Sequence, residues 1–169
     1  MYTTMNDADL QQLAVQLGQT LQARQWLLST AESCTGGWVA KVLTDVPGSS
    51  HWFERGFVTY TNIAKQEMLG VQASIIDSHG AVSELTVREM VRGALLHSHA
   101  HISLAITGIA GPGGGTEAKP VGLVWFAWAT RDNDIYCENH VFAGDREAVR
   151  RQAVATALQG VMNCLAKQH

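Results

Sequence analysis

The sequence predicts an α/β protein, folded as a three-layer α/β/α sandwich around a mixed, mostly parallel sheet. First, segments with the apolar spacing of helices alternate along the chain with short apolar runs of strand length. Second, residues 122–130 and 135–142 resemble two strands joined by a short polar turn, which supplies antiparallel pairing. Third, the chain has 169 residues, of which 46% are apolar, enough for one packed core in a single domain spanning residues 1–169.

The first third of the chain is predicted to be helix, strand and helix. An amphipathic helix is expected over residues 6–24, where leucines recur on one face. The apolar run 26–31 predicts a buried strand, and the glycine-containing segment that follows leads into a helix ending near Leu43. Pro47 and Gly48 then indicate a turn.

The remaining elements follow from the same signals. Residues 52–61 are rich in aromatic and β-branched side chains and predict a strand, and a helix over 62–69 should end at Gly70. Ser83 can cap a helix reaching Ser98. The later elements are expected as a buried strand over 102–107, a loop over 108–116, the two strands joined by the turn 131–134, and a last helix over 145–167.

Composition excludes several classes of protein. The net charge of −3 argues against a general nucleic-acid binder, which would carry a basic stripe. The amino-terminal segment has no apolar core of a signal peptide, and no apolar run is long enough to span a membrane, so a soluble cytoplasmic protein is expected. The three cysteines, Cys34, Cys137 and Cys164, have no CxxC spacing, which favours a reducing compartment without disulfides or a zinc site.

The first candidate for chemistry is the segment 31–37, Ala-Glu-Ser-Cys-Thr-Gly-Gly. A serine between a strand and a helix lies where backbone N–H groups are unpaired and the helix dipole is positive, which suits a nucleophile and an oxyanion. Ser33 is therefore a candidate nucleophile. Two alternatives remain open at this point: Ser33 is only the N-cap of the helix, or Cys34 is the nucleophile.

The second candidate is Lys65, in the segment Tyr60-Thr61-Asn62-Ile63-Ala64-Lys65. It falls in the first turn of a predicted helix, where the dipole disfavours a cation, and burial would lower its pKa further. A neutral lysine can act as a general base. The alternative is an ordinary surface lysine.

The third candidate is the glycine-rich loop 108–116, which follows a predicted strand. Successive glycine N–H groups can form an anion-binding concavity, although the segment lacks the Lys-Ser/Thr that closes a Walker A loop. The alternative is a flexible surface loop. His97, His99 and His101 lie where a helix should end and are not expected to bind a metal, and no His-Asp pair near Ser33 suggests a triad.

Taken together, these motifs resemble those of the CinA C-terminal domain family, and within it the stand-alone nicotinamide-mononucleotide deamidases. The resemblance covers nearly the whole chain, from about Leu10 to Leu165. The matching motifs are Thr30–Gly37, Gly56–Tyr60 with Asn62 and Lys65, Gly80–Glu84, Thr107–Pro112, Lys119–Gly122 and Phe142–Arg146.

This resemblance implies hydrolysis of nicotinamide mononucleotide to nicotinate mononucleotide and ammonia, in pyridine-nucleotide salvage. It implies Ser33 as nucleophile, Lys65 and Tyr60 as assisting residues, and Ser50 as a further serine linked to the site. Neutral Lys65 would accept the Ser33 proton, beside a cationic substrate ring that disfavours the protonated lysine. Substrate contacts are expected from Thr35, Gly36, Gly37, Asn62, Thr107, Gly108, Ala110, Gly111, Gly113 and Arg146. A homodimer is implied, without a cofactor or metal, and with neither nucleic acid nor membrane as partner.

Two other functions remain open on the sequence alone. The family also contains paralogues without clear activity, so the chain could be a non-catalytic nucleotide-binding or regulatory module that uses the glycine-rich loop. It could also be a serine-lysine amidase that acts on peptides. Ammonia release from nicotinamide mononucleotide distinguishes the first alternative, and comparison with peptide amides distinguishes the second.

Overall fold

The computed structural model describes residues 5–132 and 134–168, in which five strands form one mixed sheet. They are β1 (Leu28–Glu32), β2 (Phe53–Val58), β3 (Ile102–Gly108), β4 (Leu123–Thr130) and β5 (Ile135–Val141). Their order is β2-β1-β3-β4-β5. β1 pairs in parallel with β2 and β3, whereas β4 pairs antiparallel with β3 and β5. Four strands therefore run in one direction and β4 runs against them, which confirms the predicted mixed, mostly parallel sheet.

Helices cover both faces of this sheet. They are α1 (Asp7–Arg24), α2 (Trp38–Thr44), α3 (Asn62–Leu69), α4 (Ala73–His79), α5 (Glu84–Leu96) and α6 (Arg146–Lys167). α1, α2 and α6 enclose one apolar cluster, which includes Leu17, Leu43 and Leu158. α5 packs on the opposite face around Val87 and Met90, with α3 and α4 against it. The predicted three layers are confirmed.

The helix ends follow the capping residues in the sequence. The side chains of Asn6, Thr61, Ser83 and Asp145 each accept a hydrogen bond from the backbone N–H three residues further on, at the starts of α1, α3, α5 and α6. Gly70 has a φ of 71° at the end of α3, a conformation that glycine adopts without strain. The predicted helix over 62–69 is confirmed at both ends.

Several elements differ from the prediction, including β1, which spans Leu28–Glu32 and not 26–31, and a 3₁₀ helix over Ser49–His51 that was not predicted. α4 was not predicted, since it has seven residues and its N-cap, Gln72, makes no side-chain capping bond. β2 ends at Val58, three residues earlier than expected, because Thr61 caps α3 and the intervening residues form the connection. Residues 1–4, and with them the start of the segment considered for a signal peptide, lie outside the described residues, as does Asn133 of the predicted hairpin turn. No described helix has the length and apolar character needed to span a bilayer.

Candidate active site

A small cavity lies where the carboxyl ends of β1, β2 and β3 meet. In α/β proteins this edge of the sheet is the usual position of a ligand site. The cavity has a volume of about 180 Å³. Its lining consists of Ser33, Cys34, Tyr60, Asn62, Lys65, Ala81, Val82, Thr107, Gly108, Ala110 and Arg146. Eight of the residues predicted as substrate contacts or catalytic groups therefore meet here, although they come from four separate motifs. They are Ser33, Tyr60, Asn62, Lys65, Thr107, Gly108, Ala110 and Arg146.

Ser33 directly follows β1 and begins a tight segment, residues 33–37, which we call the arch. The Ser33 N–H donates to the carbonyl of Ile106 in β3, at 3.0 Å, so the serine backbone is fixed to the sheet. α2 begins only at Trp38, and its N-cap is Gly37. The alternative that Ser33 is only a helix N-cap is therefore wrong.

The amino terminus of α2 is occupied by Glu32, the last residue of β1. Its buried carboxylate accepts hydrogen bonds from the Thr35 hydroxyl at 2.6 Å and from the N–H groups of Val39 at 2.9 Å and Ala40 at 3.1 Å. The expectation that the α2 dipole acts directly on Ser33 is corrected by this contact, since the carboxylate lies at the helix terminus. The sequence pattern of residues 31–37 did not predict this role for Glu32.

Lys65 is buried beside Ser33, with 1% of its surface exposed. Its Nζ lies 2.9 Å from Ser33 Oγ, 2.9 Å from the Thr59 carbonyl and 3.5 Å from the Tyr60 carbonyl. Helical side chains lean toward the amino terminus of their helix, which brings Lys65 back over the segment that enters α3. The alternative of a surface lysine is wrong.

The surroundings of Lys65 favour its neutral form. Burial lowers the pKa of the Lys65 ammonium, and no carboxylate lines the cavity among the described residues. A neutral amine has two N–H bonds and one lone pair. The two carbonyls can accept both N–H bonds, which leaves the lone pair for the hydroxyl hydrogen of Ser33. The arrangement can therefore deprotonate a serine.

Cys34, the alternative nucleophile, is disfavoured by its surroundings. Burial raises the pKa of the Cys34 thiol to about 12, whereas the thiolate is the reactive form of cysteine. Its side chain packs in the core beneath the cavity.

The mouth of the cavity is formed by Tyr60 and Arg146. Tyr60 is 57% exposed, and its hydroxyl accepts a hydrogen bond from Arg146 Nη2 at 3.1 Å. Arg146 Nη1 donates to the carbonyl of Gly111 at 2.8 Å. These contacts leave other guanidinium N–H groups free to bind an anion. Arg146, the first residue of α6, thus connects the glycine-rich loop to the segment that carries Lys65.

The opposite wall is formed by the connection between α4 and α5. The Thr107 hydroxyl donates to the Ala81 carbonyl at 2.8 Å, and the Lys119 ammonium donates to the His79 carbonyl. The glycine-rich loop is therefore ordered at its base, where Ala110 and Gly111 are buried, while residues 112–118 are exposed. Gly113 lies in this exposed part, with open space around it, and is not brought to the cavity.

Other predicted site residues also lie elsewhere. Thr35, Gly36 and Gly37 line a second, larger cavity of about 670 Å³, on the other side of the arch. Gly36 and Gly37 have φ angles of 60° and 99°, and so the chain reverses away from Ser33. Ser50 is exposed, in a short 3₁₀ helix before β2, and a six-residue strand of about 20 Å separates it from the cavity.

The larger cavity contains cations that already have partners. Lys41 Nζ lies 2.6 Å from Asp45, and Arg151 contacts Asp7 at 2.6 Å and Glu147 at 2.8 Å. Arg150 donates from Nε to the Cys34 carbonyl at 3.0 Å and from Nη2 to the Thr35 carbonyl at 3.1 Å. The sequence motifs did not predict a role for Arg150, because this residue lies more than a hundred positions after the arch and belongs to none of the motifs.

None of the histidines that the structure describes lines either cavity. His101 Nδ1 accepts a hydrogen bond from the Leu27 N–H at 2.9 Å, and its ring stacks on Trp26. Within residues 5–132 and 134–168, no three histidine, cysteine or acidic side chains form a group that could hold a metal ion.

Comparison with known proteins places this chain in a family. The model of the CinA C-terminal domain matches residues 10–165. The chain belongs to the CinA C-terminal domain family. The resemblance inferred from the sequence motifs is therefore confirmed.

Relatives within the CinA C-terminal domain family include named enzymes. The nicotinamide-nucleotide amidohydrolase PncC of Escherichia coli (strain K12) is 58% identical over 155 residues, covering 92% of this chain and 94% of that protein. The protein of the same name from Pseudomonas putida is 50% identical, covering 89% and 93%. The crystal structure of the competence/damage inducible protein CihA from Agrobacterium tumefaciens has a TM-score of 0.91 at 41% identity, covering 96% of this chain and 98% of that one.

Proposed function

We propose that this chain hydrolyses the carboxamide of nicotinamide mononucleotide to nicotinate mononucleotide and ammonia, by a serine-lysine mechanism in pyridine-nucleotide salvage. The names of its close relatives support an amidohydrolase acting on a nicotinamide nucleotide. The observation that carries the mechanism is the 2.9 Å contact between Lys65 Nζ and Ser33 Oγ, in a buried site that no described carboxylate lines.

The first half of the reaction forms an acyl-enzyme. Neutral Lys65 takes the Ser33 proton as Ser33 Oγ attacks the carboxamide carbon, which the cationic pyridinium ring makes more electrophilic. The negative charge that develops on the amide oxygen is stabilised by N–H groups of the arch. Protonated Lys65 then gives its proton to the departing nitrogen, the C–N bond breaks, and ammonia leaves a nicotinoyl ester on Ser33.

The second half of the reaction uses the same base. Lys65, neutral again, takes a proton from a water molecule that attacks the ester carbon. The C–O bond to Ser33 breaks, and the proton held by Lys65 returns to Ser33 Oγ. The products are the free serine and nicotinate mononucleotide. Neither step requires a metal or a cofactor.

The size of the cavity supports partial burial of the substrate. Its volume of about 180 Å³ is smaller than the ~300–1,000 Å³ of typical small-molecule sites, so it suits the pyridine ring and not the whole nucleotide. Ribose and phosphate would then lie at the mouth, where Tyr60 and Arg146 are exposed. The Arg146 guanidinium can bind a phosphate oxygen while it keeps its contacts to Tyr60 and Gly111.

A peptide amidase and a non-catalytic nucleotide-binding module remain the alternatives. An extended peptide would need an open groove through the site, whereas the wall at Ala81 and Val82 and the Arg146 contact close the cavity on two sides. A module without turnover would have no need of a buried lysine directed at a serine, since burying an amine is costly.

The proposal also includes a homodimer, which the family resemblance implies, and action in the cytoplasm. All three cysteines are free thiols, which fits a reducing compartment. Light scattering coupled to size-exclusion chromatography measures the mass in solution. A mass of one chain at all concentrations would contradict the dimer.

The decisive experiment compares the purified protein with its Ser33→Ala variant. The wild type should release ammonia from nicotinamide mononucleotide and leave a capped dipeptide amide intact. Ser33→Ala should lose at least ~1,000-fold in rate, because removing a nucleophile leaves only binding and oxyanion stabilisation. Circular dichroism of both proteins checks the fold.

Cys34→Ser is the matched control in this experiment. It changes the neighbouring residue by one atom and should retain most of the activity. If Cys34→Ser is inactive and Ser33→Ala is active, the nucleophile is the cysteine. If the wild type releases no ammonia from the nucleotide, the proposed function is wrong.

A further inference from the structure

The arch is held by a charged side chain that approaches it from the side opposite the catalytic cavity. Arg150 donates to the carbonyls of Cys34 and Thr35 at 3.0 and 3.1 Å. Its guanidinium also lies over the ring of Trp38, 5.4 Å from the centroid. Arg150 and Thr35 line the larger cavity, whereas Ser33 and Cys34 line the small one, so the arch is the wall between them.

These two contacts help to set the direction of the N–H groups in the arch; the Thr35 carbonyl also accepts from the Trp38 N–H at 3.0 Å, whereas the Cys34 carbonyl accepts from Arg150. In a planar trans peptide the N–H points opposite to the C=O of the same unit. Because Arg150 holds the carbonyls of Cys34 and Thr35, the N–H groups of Thr35 and Gly36 point away from Arg150. The Gly36 N–H already donates to the Ser33 carbonyl at 3.0 Å. The Thr35 N–H donates to no other residue within the described part of the chain.

We propose that Arg150 is a positioning residue, which directs the Thr35 N–H toward the oxyanion that forms when Ser33 attacks the amide. This inference rests on the proposed function and adds the group that orients the oxyanion donor. The Gly36-to-Ser33 hydrogen bond closes a turn that begins at Ser33, and the Thr35 N–H lies inside this turn, two residues from the nucleophile. Arg150 touches neither substrate nor reacting atoms, and acts only through the backbone of the arch.

A bidentate contact is needed for this role. The planar guanidinium donates to two successive carbonyls with fixed geometry, whereas a lysine ammonium is a flexible point charge that holds one. Glu32 holds the middle of the arch by accepting a hydrogen bond from the Thr35 hydroxyl, at 2.6 Å. The two charged groups therefore bind the same residue, Thr35, at its side chain and at its carbonyl.

The neighbouring residue, Arg151, provides a matched control. Its guanidinium also lies over Trp38, 5.0 Å from the centroid, but its hydrogen bonds go to Asp7 and Glu147 and not to the arch. Arg150→Met and Arg151→Met therefore remove the same charge and the same stacking from the same turn of α6. Only Arg150→Met removes the donor to the Cys34 carbonyl, while the Thr35 carbonyl keeps the Trp38 N–H; Arg151→Met removes ion pairs to Asp7 and Glu147 instead.

The experiment measures kcat and KM for nicotinamide mononucleotide, and the Kd of nicotinate mononucleotide by calorimetry. Arg150→Met should lower kcat about 10- to 100-fold, less than removal of an oxyanion donor itself, while KM and the product Kd change less than twofold. Arg150→Lys should be intermediate, and Arg151→Met should keep the wild-type kcat. If Arg150→Met is misfolded by circular dichroism, Arg150→Lys decides.

Two results would overturn the inference. One is a kcat for Arg150→Met within twofold of Arg151→Met. The other is an equal loss of kcat and of product affinity, which indicates general disruption of the site. Failure of the proposed function gives a different result, since the wild type itself would then release no ammonia.

Discussion

The two cavities beside the arch contain lysines with opposite surroundings. Lys65, in the small cavity, contacts a hydroxyl and two carbonyls, and burial lowers its pKa. Lys41, in the larger cavity, lies 2.6 Å from Asp45, and this hydrogen bond raises its pKa. Burial without a carboxylate lowers the pKa of an amine and favours its basic form, so the smaller cavity is suited to proton transfer and the larger one is not.

Replacement of each lysine by arginine tests this difference most directly. Lys65→Arg should lower kcat by at least ~100-fold, because arginine stays charged and cannot accept the Ser33 proton. Lys41→Arg keeps the charge beside Asp45 and should keep the wild-type rate. The assay is ammonia release under saturating nucleotide. A substantially active Lys65→Arg enzyme would mean that Lys65 serves as a charge or a spacer, and the serine-lysine mechanism would be abandoned.

The pH dependence of the rate tests the protonation state of Lys65. The neutral form is the active one, so the rate should rise with pH, about tenfold per unit below the pKa, and level off above it. Because burial lowers this pKa from its ordinary 10.5, the plateau should begin below that value. The measurement is kcat from pH 5 to 10. A rate that falls with increasing pH over this range would show that the protonated amine is required.

The phosphate contact should have a smaller effect. Loss of one charge-assisted hydrogen bond costs ~2 kcal/mol, so nicotinamide riboside should have a kcat/KM about 30-fold below that of the mononucleotide. Arg146→Met should reduce this ratio, by slowing the mononucleotide and leaving the riboside little changed. The comparison requires kcat/KM for both substrates with both proteins. Equal efficiency of the two substrates with the wild type would exclude a phosphate contact.

The smallest expected effect concerns stability. Between the lowered pKa of Lys65 and 10.5, the unfolded chain binds a proton that the folded protein does not, so folding stability rises with pH in this window. Relative to Lys65→Met, the wild type should gain ~1.4 kcal/mol for each unit by which the pKa is lowered. Urea unfolding at pH 7 and 10 measures this difference. The pKa of Lys41 is raised, so its contribution to folding stability is present below pH 10.5 and is lost as the pH rises through the raised pKa. A constant difference between Lys65→Met and wild type would show that the pKa is not lowered.

Much of the fold could be predicted because its signals are local. Thr61, Ser83 and Asp145 cap their helices through bonds to residues three positions away, and Gly70 ends α3 through its own backbone. α4 has no such cap, and a seven-residue helix stabilised by packing against α5 leaves little pattern in the sequence.

The candidate site could be predicted only in part for the same reason. Ser33 stands at the end of β1, where a polar residue indicates a site, and Lys65 stands in the helix that follows β2. The direction in which Gly36 and Gly37 turn depends on backbone angles that the letters do not specify, since glycine permits both signs of φ. The hydrogen bond from Arg150 to the Cys34 carbonyl joins residues more than a hundred positions apart, so it could be identified only from the folded structure.

The base and the carbonyls that hold it belong to one short piece of chain. Lys65 is six residues from Thr59 and five from Tyr60, whereas Ser33 is attached to the central strands. The Thr59 N–H donates to the Glu32 carbonyl at 2.8 Å, so this piece of chain is anchored to the strand that leads into Ser33, and one strand holds both the base and the nucleophile in place.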